Sequence, residues 1–371
     1  MKTKITFALM LLSAFFLSLP GYAKIWRVNN QSNYNNTTLW GQNYGGTTTY
    51  PVFKQINQAI AWAGLIAGDT IHVEGSTAIY ETATITKKVV IIGPGYFLAE
   101  NPKVFNTTYD ARLGRINFNV GSQDSQLIGM NMIPDGSSPG VYINTDGITI
   151  KRCRIERRIF LASGLADVYI LQNFFVGNST TDYNALVQNG SSPVPPNEII
   201  FNNNICENKL IWQRSDSEIW NILECNNNVF AGPANSLNLK FNTGSFRNNI
   251  LKSNNMTAVI NQGTNNNVSH NTSATTDLFS GTPGNLLVPS MASLFVNSGT
   301  TDGLYQLQPG VSGNIAGIDG AERGAFGGIA PSNRYTLSGL AAIPVVYDVT
   351  TSGVSQPGTG LTVEIKARTI K

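Results

Sequence analysis

Short β-prone runs that end in a polar residue, followed by more apolar residues, recur along the middle of the chain. Gly129-Met130-Asn131-Met132-Ile133, Lys151-Arg152-Cys153-Arg154-Ile155 and Leu171-Gln172-Asn173-Phe174-Phe175 share this form. So do Asn202-Asn203-Asn204-Ile205-Cys206, Asn226-Asn227-Asn228-Val229-Phe230, Arg247-Asn248-Asn249-Ile250-Leu251 and, more weakly, Ser269-His270-Asn271-Thr272-Ser273. With Asn131, Cys153, Asn173, Asn204, Asn228, Asn249 and Asn271 taken as equivalent, the successive separations are 22, 20, 31, 24, 21 and 22 residues. A fixed period of this size marks a coiled repeat. One turn built of three short strands needs about this many residues, since a strand advances roughly 3.3 Å per residue and Asn or Gly makes the corners. The pattern predicts an all-β parallel β-helix with three-strand rungs. Asn131, Asn173, Asn204, Asn228, Asn249 and Asn271 would form a ladder in which each amide donates to and accepts from its neighbours on the next turn. The long step holds residues 178–197, rich in Gly and Pro, and reads as a protruding loop.

The flanks have a different pattern. Thr49-Tyr50-Pro51 opens the stretch Val52 to Leu65, where Phe53, Ile56, Ile60 and Ala63 recur at helical spacing. A stack of strands must be capped at its ends, and this helix is placed to do so. Thr70 to Glu74 and Lys88 to Ile92 read as the first strands. Toward the other end, Ile343 to Val349 and Leu361 to Lys366 are strand-like, separated by turn signals, and are expected to pair as a hairpin that covers the far end. The division is then 1–23 a signal peptide, 24–68 an N-terminal segment with the capping helix, 69–328 the β-helix, and 329–371 a C-terminal strand segment.

Composition sharpens this picture. The 371 residues include 42 Asn and 36 Gly, residues that favour turns and left-handed backbone, which excludes a helical bundle. Charged residues are 13% of the chain and the net charge is +3, too small and too dispersed for a nucleic-acid partner. Lys2 and Lys4 precede the apolar run Ile5 to Leu19, and Gly21-Tyr22-Ala23 supplies small residues for cleavage near Ala23. No second long apolar run follows, so no membrane span is expected, and the protein should be secreted to the periplasm, the outer surface or the medium. Cys153, Cys206 and Cys225 are an odd number without close spacing; they read as buried small hydrophobes, with a Cys206 to Cys225 disulfide as the minor alternative.

Further words carry a resemblance. Gly68-Asp69-Thr70-Ile71-His72-Val73, Gly93-Pro94-Gly95-Tyr96-Phe97-Leu98-Ala99-Glu100-Asn101-Pro102, and Gly324-Ala325-Phe326-Gly327-Gly328 followed by Leu337-Ser338-Gly339-Leu340 resemble secreted bacterial proteins of the pectin-lyase-like superfamily. The resemblance covers almost the whole chain after Ala23 and implies a right-handed coil. It does not imply one chemistry, because that superfamily holds polysaccharide lyases, glycoside hydrolases, adhesins and proteins without activity.

The chemical candidates are few. Asn144-Thr145-Asp146-Gly147 looks like the first catalytic word of polygalacturonases. The Asp pair expected on the next turn is missing, since Val168 follows Asp167, and neither His72 nor His270 lies between glycines. One carboxylate does not make an inverting hydrolase, and Asn-Thr-Asp-Gly is also a good turn. Residues 151–158 form the one basic cluster. If Cys153 and Ile155 point inward, Arg152 and Arg154 point outward beside Lys151, Arg157 and Arg158, a patch suited to carboxylates. Trp212 and Trp220, near Arg214, Asp216 and Glu218, are candidate sugar-stacking platforms. No metal site is indicated, no cofactor is expected, and Ca²⁺ enters only under a lyase reading. These features predict a monomeric, secreted, non-catalytic protein that binds carbohydrate, with a lyase acting on acidic glycans and a structural or adhesive surface protein as alternatives.

Overall fold

The computed structural model describes residues 23–31, 46–104, 109–134, 140–177, 186–188, 194, 197–207, 220–232, 238–252, 257–262, 268–274, 283–288, 290–311, 315–351 and 360–369. The chain is mostly β, arranged in long parallel sheets with few helices, as a parallel β-helix requires. Three sheets of twelve, nine and five strands share the repeat. From Gln126 to Gln188 the chain visits them in rotation. Thr149–Lys151 lies in the twelve-strand sheet, Arg154–Ile155 in the nine-strand sheet, Ile159–Leu161 in the five-strand sheet and Val168–Leu171 in the twelve-strand sheet again.

In-register parallel pairing stacks like on like. Ile71, Ile91, Leu127, Ile150, Ile170 and Phe201 form one column on the twelve-strand sheet. Leu113, Met132, Ile155, Phe175, Cys206, Phe230 and Leu251 form another on the nine-strand sheet. With Ile85, Phe118, Ile143 and Leu161 from the five-strand sheet, all these side chains are fully or almost fully buried and meet in one core. Each contributes about 1.5–3 kcal/mol by leaving water. All three cysteines are free and buried, so the disulfide alternative is not realised. Burial pushes the Cys153 thiol up to about 12.

The Asn ladder exists, with one change of register. Arg154 pairs with Asn131, so Cys153 stands over Met130, and Asn131 lies one position past the corner, outside the ladder. Residue type suggested the alignment, but strand pairing decides it. The ladder runs Asn173, Asn204, Asn228, Asn249, Asn271, each wholly buried. Each side-chain oxygen from Asn204 to Asn271 accepts the backbone N–H and the amide N–H of the Asn one turn earlier, at 2.9–3.2 Å. The amide also donates to a strand carbonyl of the preceding turn, as Asn228 does to Phe201 at 2.9 Å. Every polar atom of these amides is thereby satisfied.

The expected helix is real but shorter: Val52–Phe53 is a strand, and the helix (α1) spans Ile56–Ala61, with Ile56, Ala59 and Ile60 buried. Gln58 accepts the Gln55 N–H at 3.1 Å at its start, and Trp62 in extended conformation ends it.

The C-terminal strands Pro344–Thr351 and Val363–Thr369 pair antiparallel, with Val346, Val349, Ile365 and Val363 on one face and Asp348 bridging Lys366 on the other. The apolar face is open: Val349 is 43% and Ile365 62% exposed. The hairpin therefore does not bury itself against the coil as a cover would. Two strands alone are marginal in water. Removing residues 343–371 is expected to change the unfolding free energy in urea by less than about 1 kcal/mol. A loss beyond roughly 2 kcal/mol would show that the hairpin supports the coil.

The coil itself ends earlier than residue 328. The last described parallel strand is Leu286–Leu287, and the described residues 290–311 and 315–341 instead cover the nine-strand face in three passes with short 3-10 turns. The first pass leaves the Ser273 carbonyl, which accepts the Val288 N–H, and reaches Glu100, which accepts the Thr301 N–H at 2.6 Å. The second returns past Glu207, bonded to the Tyr305 hydroxyl, to Asn248, whose Oδ1 accepts the Ile318 N–H. The third runs from Arg323 beside Asn271 to Leu340 beside Arg152. The outward column of the sheet explains this cover. From Phe174 to Ile250 it is apolar, and Phe174, Ile205, Val229 and Ile250 pack under Met291, Leu294, Phe295, Tyr305, Ile315 and Tyr335.

Candidate functional site

The coil turns two corners within residues 151–158, so the basic run is divided among three faces. Lys151 ends a strand of the twelve-strand sheet, where burial and then Arg152 lower its pKa. Arg152, at the left-handed corner that follows this strand, points outward but lies under the third pass. It is 6% exposed, donating Nε to Gln172 Oε1 at 2.7 Å and Nη1 to the Leu340 carbonyl at 3.0 Å. Arg154, on the nine-strand sheet, donates to Asn131 and Glu156 and sits 5.4 Å from the Phe97 ring. Arg157 and Arg158 lead into the five-strand sheet, and burial, then Arg157, lowers the Arg158 pKa. Sequence proximity therefore does not become one open patch. Trp220 is 1% exposed and belongs to the core, which removes it as a platform, and Trp212 lies outside the described residues. Asp146 Oδ1 accepts the Ala166 N–H at 2.8 Å beside Gly147 at φ 75°, so the Asn-Thr-Asp-Gly word is a turn.

The structure shows a second column of functional side chains next to the ladder. Arg152, Gln172, Asn203, Asn227, Asn248 and His270 all take the left-handed backbone, with φ from 53° to 59°. Asn tolerates this conformation better than most residues, which explains why Asn is doubled or tripled at these corners. The inner Asn of each pair builds the ladder, and the one before it holds the third pass. Gln172 donates to the Ser332 carbonyl at 2.8 Å, Asn203 to those of Ala325 and Gly327 at 2.9 Å, and Asn227 to that of Glu322 at 3.3 Å. At the early end, buried Asp302 accepts from Thr300, Tyr335 and the Ser338 N–H, and Tyr335 meets the Tyr96 hydroxyl. Burial raises the pKa of Asp302 despite these donors. This buried cluster joins the cover to the loop around Tyr96.

Between Asn203 and Asn248 the second and third passes separate and leave a groove of about 340 Å³. Its floor is two columns of polar residues, Asn202, Asn226 and Arg247, then Asn203, Asn227 and Asn248, with Glu224 beside them and Ile318, Ile329 and Asn333 on the rim. The floor is ordered by its own bonds. Asn202 Nδ2 donates to Glu224 Oε2 at 2.7 Å, Asn202 Oδ1 accepts the Asn226 N–H at 2.8 Å, and Asn226 Oδ1 accepts from Ser245 Oγ and the Arg247 N–H. Ile329, 69% exposed, offers an apolar shelf. Successive turns lie about 4.8 Å apart, so similar amide groups repeat along the coil axis. That array suits a hydroxyl-rich chain. The groove brings one carboxylate and one guanidinium together rather than two carboxylates. The repeated Asn words were a signal for it that reading the ladder alone missed.

Among the described residues, no group of three or more His, Cys, Asp or Glu could hold a metal ion, and no helix is long and apolar enough to cross a membrane. Comparisons of the chain with family models, with curated proteins and with solved structures find no match.

Proposed function

We infer that this is an exported, non-catalytic protein that binds carbohydrate along the groove between Asn202 and Asn248. The observation that carries the reading is the ordered array of amides, with Glu224 and Arg247, repeated over three turns of the coil. Amides, a carboxylate and a guanidinium donate to and accept from sugar hydroxyls without requiring a charged ligand. A polymer lying along the axis would meet the same chemistry at each turn. The finer architecture belongs to the same reading: a right-handed coil of three-strand rungs, α1 covering its first turn, a leader removed near Ala23, and a monomer as the working unit. Arg157 and Arg158 would meet an acidic glycan on a different face, not in this groove.

Calorimetry against a panel of neutral and acidic polysaccharides tests the reading, comparing the intact protein with Asn226→Ala and Glu224→Gln. Each substitution should weaken binding about tenfold, the loss of one or two hydrogen bonds to the ligand. Binding to no member of the panel, or binding unchanged in both variants, would rule out the groove. New ultraviolet absorbance from an unsaturated uronide during the same experiment would instead show a lyase.

A further inference from the structure

Asp69 is a fully buried carboxylate at the start of the first turn, and N–H groups donate to both of its oxygens. Its Oδ2 accepts the Trp26 indole N–H at 2.7 Å and the Ile66 N–H at 3.0 Å. Its Oδ1 accepts the backbone N–H of Lys24 at 2.8 Å. The Lys24 carbonyl in turn accepts the Thr70 N–H at 2.8 Å, so the nitrogen of Lys24 is held in place from both sides. Ala23 and Lys24 themselves are exposed, which leaves the bond between them accessible.

We propose that the chain is cut between Ala23 and Lys24 and that the freed α-ammonium of Lys24 forms an ion pair with the buried carboxylate of Asp69. Hydrolysis adds water across that amide: Ala23 departs as a carboxylate, and the Lys24 nitrogen gains protons to become an ammonium. That nitrogen already stands at hydrogen-bond distance from the carboxylate, so no rearrangement is needed. A neutral donor becomes a charged one, and charge-assisted bonds of this kind are about twice as strong. Processing would thus tighten the first turn of the coil. The proposal is independent of the groove and survives or fails without it.

The surrounding charges are few. The side-chain ε-ammonium of Lys24 lies 5.8 Å from the Trp26 ring, Lys88 and Asp124 bridge each other on the next turn, and Arg27 bridges Glu74 at the far end of the strand, near His72. For Asp69, burial raises the pKa, but the hydrogen bonds and Lys24 outweigh it and hold the carboxyl low, so it is ionised at neutral pH. A paired α-ammonium has its folded pKa raised above the ordinary value of about 7.7–8.0. Its stabilisation is complete below that value and is lost as pH rises through the folded pKa.

Mass spectrometry of the exported protein should find Lys24 as the first residue. Chains 24–371 and 23–371 are then compared by thermal unfolding, each also as Asp69→Asn. The chain that starts at Lys24 should melt about 2–4 °C higher at pH 6, the difference should vanish near pH 11, and Asp69→Asn should abolish it. Labelling of the α-amine at neutral pH gives a readout without substitution at Asp69: the Lys24 amine should react about tenfold more slowly than the Ala23 amine, as a pKa raised by one unit requires. A different first residue, equal melting of the two chains, a difference that persists in Asp69→Asn, or equal labelling rates would overturn the proposal.

Discussion

Replacing Asn228 by Ala should cost on the order of 5 kcal/mol in urea unfolding, because it strands several buried polar groups at about 1–3 kcal/mol each. The lost side chain accepts from the Asn204 N–H and Asn204 amide and donates to the Phe201 carbonyl and to Asn249 Oδ1. None of these groups can turn to water from a site that is wholly buried. Asn228→Asp is a finer probe, since it keeps the shape and the oxygen that Asn204 uses. Its second oxygen would face the Phe201 carbonyl and Asn249 Oδ1, acceptor against acceptor, unless it carries a proton. The folded pKa of the new carboxyl is then raised above about 3.9. The deficit of the Asp variant should be smallest below that pH and grow as pH rises through the folded value. An Ala variant within 1 kcal/mol of the parent, or an Asp variant whose deficit ignores pH, would show that the ladder carries little stability.

Arg323→Met should cost about 3–4 kcal/mol, since hydrogen bonds to a charged group are worth roughly 1.5–3 kcal/mol each and only part of that is recovered by relieving its burial. The guanidinium is 3% exposed and donates to the carbonyls of Asn271, Gly284 and Ala316 and to Thr272 Oγ1, all uncharged acceptors. Burial lowers its pKa to about 10, so it remains charged at neutral pH. Arg323→Lys should fare little better, because a point ammonium cannot reproduce the planar fork that reaches all four residues. Hydrogen exchange should show the reason: amides of residues 315–328 lose protection while those of the ladder keep theirs. Uniform loss of protection along the coil would contradict a role confined to the cover.

Much of the architecture was legible because stacking repeats a residue type at a fixed interval. Asn173, Asn204, Asn228, Asn249 and Asn271 reveal the period, since a polar side chain can be stacked in a core only where it bonds to its own kind. The register was less legible. Asn131 resembles a ladder residue, but pairing with Arg154 moves it one place on, and nothing in its type records that. The basic run from Lys151 to Arg158 shows the limit of period-two reasoning. Alternation holds within a strand and is lost at each corner, so neighbours in sequence end on different faces. Trp220 looked like a ligand platform only because its polar sequence neighbours were visible and its burial was not. The cover formed by residues 290–341 has weak local patterning, and its place is fixed by side chains far away in sequence, such as Gln172 for Ser332 and Arg152 for Leu340. The groove inherits this difficulty, because its floor and its rim come from segments about a hundred residues apart.

The third pass also sets a dimension. From Asn271 back to Arg152 it must meet a corner on each successive coil and still deliver Ser338 to Asp302 and Tyr96. Duplicating one coil between Gln172 and Asn248 would lengthen the cylinder by about 4.8 Å and leave that connection short. The tie therefore acts as a gauge, and the molecule can gain or lose coils only if the segment that measures them changes by a matching amount.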